Sequence, residues 1–462
     1  MSKWEELERL FNPSSIAVIG ASNELYKGGG RFYKGLMHSG FKGSLYAVNP
    51  NESVVFGQKS YSTVRDIQGD IDLAIIAVPA IVVPRVMSDC SQKRVKFAIV
   101  HSAGFSELGP EGKELEKEML KFAREGGIRI IGPNCMGIYS ASAHINTIVE
   151  QAASGDESGT MAFVGQSGWV TENIISLGHE RGLRFSKVVS IGNQSDITIE
   201  DLVDYFAGDM QTLVVAFYAE GIKYGRDFIK IVRRVSKKKP VIVWKGGRTA
   251  GGARAASSHT GSLAGNATIM DTALTQCGAT IARDLDDLID LMVGFSSPVL
   301  PQGNRVGLLV EAGGGAVSGC DAAETMGLYI PQLSAQAQND IAATLKGIIP
   351  PFATPLNPVD VVWAPAQNAT PLFVNCARVM LRELDAIVIL NYLNYDEDFA
   401  KAMTGVRNEA GKPIMVIPGH MAEQRSGMAL LTRKGIPAFA TPGRVMKVLS
   451  AMVKYEKRRQ EV

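Results

Sequence analysis

The sequence predicts an α/β fold made of three doubly wound parallel-sheet domains. Three observations predict it. Short β-branched runs recur, each followed by a glycine-rich turn and a stretch of helical length, which is how parallel strands covered on both faces read in sequence. At 462 residues and 46% hydrophobic composition the chain exceeds one compact core, and at roughly 150 residues per domain about three are expected. Two polar or Pro/Gly-rich breaks, EQAASGDESG at 150–159 and PVLPQGN from Pro298, divide the strand runs into three arrays. The expected domains are therefore 1–150, 151–300 and 301–462.

The first array consists of SIAVIGAS from Ser15, SLYAVNP from Ser44, LAIIAVP from Leu73, FAIVHSAG from Phe97 and IRIIGPN from Ile128. The second is TMAFVGQSG, SKVVSIGN, TLVVAFYAEG and KPVIVWKGG, and the third is VGLLVEAGGG, LDAIVILNYL and KPIMVIPG. The second and third read as distant copies. MAFVGQSG with a helix through Val170 and Leu177 mirrors VGLLVEAGGG with its helix, and each leads to Gly-Leu and a new strand.

Composition excludes several function classes. Lys plus Arg number 48 against 46 for Asp plus Glu, so no excess field favours nucleic acid or anionic lipid. Cys90, Cys135, Cys277, Cys320 and Cys376 form no CxxC pair, which argues against a zinc site or a disulfide framework and for a cytoplasmic setting. The opening MSKWEELERLFNP is charged, and the apolar run from Leu73 is shorter than the ~20 residues a membrane span needs.

In open α/β sheets, ligands bind beyond the carboxyl ends of strands, where helix N-termini offer free N–H groups to anions. In the first domain that place is Gly20 to Ser22, with Lys27 and the glycines behind it, where backbone could approach a pyrophosphate. The spacing is not GxGxxG, and a strand-to-helix turn uses glycine whether or not a ligand binds. In the second domain Ser167 and Gly168 open a helix in a geometry suited to phosphate or carboxylate, although Ser167 is equally explained as a helix cap.

Between Gly246 and Ser262 every residue except Arg248, Arg254 and His259 is Gly, Ala, Ser or Thr. Such a segment buries little apolar surface and moves cheaply. An imidazole there can attack phosphorus when a carboxylate orients it, and Glu220, ending the strand TLVVAFYAEG, is placed to do so. A lone histidine is also explained as a surface residue, and Glu220 as a solvated strand end. There is no GxxxxGK(S/T) loop and no HExxH pair, so any nucleotide is expected on another chain and no metal site is expected here.

The segments NPSSIAVIGAS, FKGSLYAVNP, IIAVPA, SAGFSELGPEG, IGPNCMGI, FVGQSG, VVSIGN, ARAASSHTGSLAG and LNPVD together resemble the α subunit of nucleoside-diphosphate-forming acyl-CoA synthetases, relatives of the succinyl-CoA synthetase α subunit. The resemblance implies a Rossmann-like domain binding coenzyme A, followed by two flavodoxin-like domains. It implies a CoA groove lined by Gly20, Ala21, Ser22, Lys27, Asn49, Pro50, Pro79, Ser102, Ala103, Gly104 and Asn134. It implies a phosphate and acyl site at Ser167, Gly168, Trp169, Gly192, Asn193 and Gly261, with His259 phosphorylated and Glu220 supporting it.

The implied reaction is reversible: acyl-CoA, phosphate and ADP become carboxylic acid, CoA and ATP through an acyl phosphate and a phosphohistidine. ADP or ATP with Mg2+ would sit on an ATP-grasp β subunit, in an α2β2 assembly. Two departures stand out. Trp169 follows QSG where relatives carry a small residue, so its ring could bound the acyl site or simply pack on a neighbouring helix. The third domain has EAGGGA, and Glu311 would repel an anion at that helix start, which points to an assembly role. Two rival readings are a non-catalytic CoA or dinucleotide sensor and a succinyl-CoA synthetase α subunit.

Overall fold

The computed structural model describes residues 3–148, 158–260, 267–349, 354–362, 365–391, 396–419 and 425–460. The first sheet holds β1 (Ser15–Ile19), β2 (Ser44–Val48), β3 (Val54–Val55), β4 (Gln58–Tyr61), β5 (Leu73–Ile76), β6 (Phe97–Val100) and β7 (Arg129–Ile131). Their order is β3-β4-β2-β1-β5-β6-β7. β1 lies between β2 and β5, parallel to both, with Ile16 opposite Leu45 and Leu73, and it is buried along its whole length because Ile16 and Val18 enter one apolar cluster and Ala17 and Ile19 another. After Ser15, whose hydroxyl donates to the Asp70 carbonyl, β1 is apolar at consecutive rather than alternate positions, as a strand buried on both faces of a parallel sheet requires. The only reversal is the β3–β4 hairpin, whose two-residue turn Phe56-Gly57 has φ of 44° and 79°, the positive values such a turn requires.

The second sheet holds β8 (Gly137–Ser140), β9 (Ile145–Asn146), β10 (Met161–Gly165), β11 (Phe185–Ser190), β12 (Val214–Ala219), β13 (Val241–Lys245) and β14 (Thr280–Ala282). It is ordered β14-β13-β12-β10-β11-β8-β9. β10 to β14 are parallel, and β8 pairs antiparallel with β11. β8 and β9, on the N-terminal side of the boundary expected at 150, thus hydrogen-bond into the second sheet. A short edge hairpin joins this way because antiparallel pairing needs no crossover helix.

The third sheet holds β15 (Val306–Val310), β16 (Val359–Asp360), β17 (Ala386–Asn391) and β18 (Ile414–Pro418), all parallel, in the order β16-β15-β17-β18. Leu309, Ile387, Ile389 and Val416 of these strands bury against Phe373, Phe399 and Met403.

By contacts the chain forms two compact units. One holds residues 1–177 and 184–285, with the first two sheets, and the other holds 178–183 and 286–462. In the first unit one apolar cluster runs from Ile16 and Ile75 through Ile131 to Val189 and Phe217, so its two sheets share a core. In the second, the helix Leu285–Phe295, N-terminal to the boundary expected at 300, is held by Lys447 on Asp287 at 2.8 Å and by Arg444 on Asp290.

Candidate active site at the strand ends of the first unit

β1 is followed by Gly20, whose φ of 90° and contact with the Ala77 carbonyl leave no space for a Cβ. Gly29, in the first turn of the helix Gly28–His38, lies equally close to the Gly20 carbonyl. The two glycines therefore bring this helix start hard against the strand end, a cradle into which backbone N–H groups point. The first turn has no acidic residue. Lys27 occupies the N-cap position and pairs with Glu24 at 2.7 Å.

The other expected groove residues follow the carboxyl ends of the same sheet. Ser22 is buried, and its hydroxyl accepts the Glu24 N–H at 3.2 Å. Asn49, after β2, donates to the Ala21 carbonyl at 2.7 Å, and Pro50 and Pro79 are exposed beside the ends of β2 and β5. After β6, the Ser102 hydroxyl donates to the Val78 carbonyl, Ala103 is exposed, and Gly104 has φ of 114°. Asn134, after β7, donates its backbone N–H to the Ser102 carbonyl at 2.9 Å.

His101, which sequence reasoning passed over, meets this helix start: its ring packs edge-on against Phe32 at 4.8 Å, and Nδ1 donates to the Cys135 carbonyl at 2.7 Å. Burial, aided by the charge of Arg31, lowers its pKa against the opposing pull of the Cys135 carbonyl, so the ring is neutral at pH 7. The sequence FAIVHSAG offered a signal, a histidine directly at a strand's carboxyl end.

At the corresponding end of the second sheet, β10 runs into Gln166, Ser167 and the helix Gly168–Glu180, which opens where the sequence indicated and runs past Leu177. The Ser167 hydroxyl accepts the Val170 N–H at 3.4 Å, and its carbonyl accepts the Thr171 hydroxyl at 2.7 Å. No acidic residue lies in the first turn. The Trp169 ring is 63% exposed, so it does not pack on a neighbouring helix.

Buried Gln166 organises the neighbouring strand end: its Oε1 accepts the N–H groups of Glu220 at 2.8 Å and Gly221 at 3.0 Å. Glu220 therefore directly follows β12 beside the helix start at Ser167. Its Oε1 accepts the Tyr218 hydroxyl at 3.2 Å, whereas Oε2 is buried and has no partner among the described residues. Burial and the Glu220 charge both push the Tyr218 hydroxyl pKa up. Lys245, ending β13, donates to the Glu220 carbonyl at 2.7 Å, and desolvation lowers its pKa despite that carboxylate.

His259 lies on a helix, Ala250–Thr260, rather than on the open segment the small residues indicated. An alanine-rich run without proline favours helix, and Thr249 caps it by accepting the Gly252 N–H at 3.1 Å. The His259 side chain and Gly261 lie outside the described residues. Arg248, just before this helix, pairs with Asp271 of the helix Ala267–Gln276 at 2.6 Å, and Arg283 joins the same carboxylate at 2.9 Å.

The two strand-end clusters meet through backbone. After β11, the N–H groups of Asn193, Ser195 and Ile197 donate to the carbonyls of Pro133, Gly132 and Ile130. Gly192, with φ of 57°, has the carbonyls of Pro133 and Asn134 where a Cβ would stand. Gln194 fixes the rest of the loop by accepting the Ile199 N–H at 3.1 Å. Asn134 and Asn193 are thereby brought together, while Trp169 stays open to solvent. Among the described residues no group of three His, Cys, Asp or Glu side chains could hold a metal, and no helix is long and apolar enough to cross a membrane.

These strand ends define a class. Residues 14–141 match the family model of the CoA binding domain, and residues 158–295 match that of the succinyl-CoA ligase like flavodoxin domain. The chain is 36% identical to the acetate–CoA ligase (ADP-forming) II subunit alpha of Pyrococcus furiosus, over 98% of each chain. It is also 36% identical to the acetate–CoA ligase (ADP-forming) of Methanocaldococcus jannaschii, over 97% of this chain and 63% of that longer one. The structure of a dinucleotide-forming acetyl-coenzyme A synthetase 1 of Candidatus Korarchaeum cryptofilum, solved with phosphate and ADP, superposes with a TM-score of 0.87 at 35% identity, covering 98% of this chain and 97% of that one. The chain belongs to the family of ADP-forming acetate–CoA ligase α subunits.

Proposed function

We propose that this chain is the α subunit of an ADP-forming acyl-CoA synthetase that interconverts acyl-CoA, phosphate and ADP with carboxylic acid, CoA and ATP. The observation that carries the reading is the junction of β10 and β12. A helix start free of acidic residues, at Ser167 and Gly168, lies beside Glu220, whose Oε2 has no partner among the described residues. The first can hold an anion and the second can orient a cationic or N–H-bearing ring.

In this reading CoA lies against the glycine cradle of Gly20 and Gly29, where close backbone approach suits a pyrophosphate. Phosphate, held by the Ser167 hydroxyl and the first amides of the helix, attacks the thioester carbonyl. The C–S bond breaks, the thiolate leaves and takes a proton, and an acyl phosphate remains. The His259 imidazole, oriented by Glu220, then attacks phosphorus while the P–O bond to the acyl group breaks and the carboxylate departs. Finally the P–N bond breaks as the phosphoryl group passes to ADP. The helix dipole at Ser167 offsets charge repulsion in the first two steps.

ADP and Mg2+ belong on an ATP-grasp β subunit in an α2β2 assembly working in the cytoplasm. Residues 1–150 serve CoA, 151–300 carry the phosphate site and His259, and 301–462 serve assembly. Reconstitution with the partner subunit tests the reading. ATP-dependent acyl-CoA formation from one of acetate, branched, aryl or succinate substrates is expected, with His259→Ala at least about 10³-fold slower. CoA binding without turnover on any acid would instead make the chain a sensor.

A further inference from the structure

Besides the backbone bonds, two carboxylates tie the strand-end clusters together, and the geometry of one of them fixes an amide. Glu107 Oε1 accepts the Gly104 N–H at 2.6 Å, and Oε2 accepts from Asn193 Nδ2, also at 2.6 Å. Glu116 repeats the bridge: its Oε2 accepts the Ser106 N–H at 3.2 Å and its Oε1 the Ser195 hydroxyl at 2.6 Å. The loop after β6 is thus tied twice to the loop after β11.

A carboxylate only accepts, so Asn193 must turn its NH2 group toward Glu107. Its Oδ1 is left buried with no donor among the described residues. Its backbone N–H is already given to the Pro133 carbonyl at 2.9 Å. The second hydrogen of Nδ2 is directed to the Ser106 hydroxyl oxygen at 3.4 Å, so all three N–H groups of Asn193 are engaged and the free atom is an acceptor. This residue, expected from sequence to touch phosphate, is built for a ligand that donates. Burial alone would raise the Glu107 pKa, but the Gly104 N–H and the Asn193 amide outweigh it, so the carboxyl stays ionised and the orientation holds at neutral pH.

We propose that Glu107 is a positioning residue: it sets the spacing between the two loops and holds Asn193 Oδ1 as the acceptor for an N–H or S–H donor on the pantetheine arm of CoA. The proposal rests on the function proposed above, and it makes Asn193 a contact of the thiol-bearing arm rather than of phosphate.

The test uses the assembled enzyme. In Glu107→Gln the new amide still accepts the Gly104 N–H but turns NH2 toward NH2 at Asn193, forcing the Asn193 amide to flip. Acyl-CoA synthesis is expected to slow by roughly 30- to 100-fold, the scale of a misplacement of about 1 Å. Half-saturation by CoA is expected to rise, while that by phosphate in the reverse direction and labelling of His259 from ATP stay within about twofold.

The swap Glu107→Gln with Asn193→Asp restores every bond with donor and acceptor exchanged, and is expected to recover at least about tenfold of the loss. Comparing CoA with its desulfo analogue assigns the donor: equal weakening names an amide N–H, and weakening of CoA alone names the thiol. Wild-type CoA kinetics in the single variant, a parallel loss of phosphate affinity or labelling, or no recovery in a cooperatively folded swap would each overturn the proposal. Absence of labelling in the wild type would overturn the function reading instead.

Discussion

The turn after β10 and the turn after β15 are built alike and differ in charge. Each follows a fully buried five-residue strand and opens a thirteen-residue helix. Each helix ends at a glycine of positive φ, Gly182 at 85° and Gly327 at 78°, with the next leucine donating back to the last turn. At the first turn stand Gln166 and Ser167, a neutral amide and a capping hydroxyl. At the second stand Glu311 and Ala312, a carboxylate and a residue that makes no side-chain cap. Asp360, ending the adjacent β16, lies close to Gly313 at the same helix start. One scaffold therefore presents a helix N-terminus without a carboxylate in the first case and one that the Asp360 carboxylate already approaches in the second. Fold alone does not set the charge at a helix start; the two residues after the strand do.

The largest effect that could break this comparison comes from importing the second turn's charge into the first. Gln166→Glu keeps an acceptor for the Glu220 and Gly221 amides, replaces the NH2 group by a second oxygen and adds a negative charge. Half-saturation by phosphate in acyl-CoA cleavage is expected to rise by about 10- to 100-fold, with cooperative unfolding retained. An unchanged phosphate dependence would mean that the charge of this turn is irrelevant. The reciprocal change is expected to be nearly silent. Glu311→Gln removes a carboxylate from a turn proposed to serve assembly, so kcat/KM should move by less than about twofold. A large loss there would place the third sheet in the chemistry and end the distinction drawn above.

Much of this was legible in the sequence because strands buried on both faces are continuous apolar runs. β1, β5 and β6, and the paired turns after β10 and β15, could be read directly. Less legible was what depends on partners distant in the chain. The pairing of β8 with β11 is set by edge geometry, not by any pattern in GIYS. The helical state of residues 250–260 was hidden by reading small side chains as looseness, although alanine without proline also favours helix. Glu220 could be placed because it ends a strand. Gln166 could not, since its role is to hold amides 54 and 55 residues away. Glu107 lay within SAGFSELGPEG without a role, because its partner Asn193 is 86 residues further on.

The central claim is that His259 carries phosphorus between the acyl site and the nucleotide. Incubating the assembled enzyme with ATP bearing a labelled γ-phosphate, then mapping the label by peptide mass spectrometry, tests it most directly. The account predicts one acid-labile, base-stable phosphate on the peptide containing His259, discharged on adding a carboxylic acid and CoA and lost in Glu220→Gln or His259→Ala. Label on any other residue, or full turnover with that histidine unmodified, would contradict it.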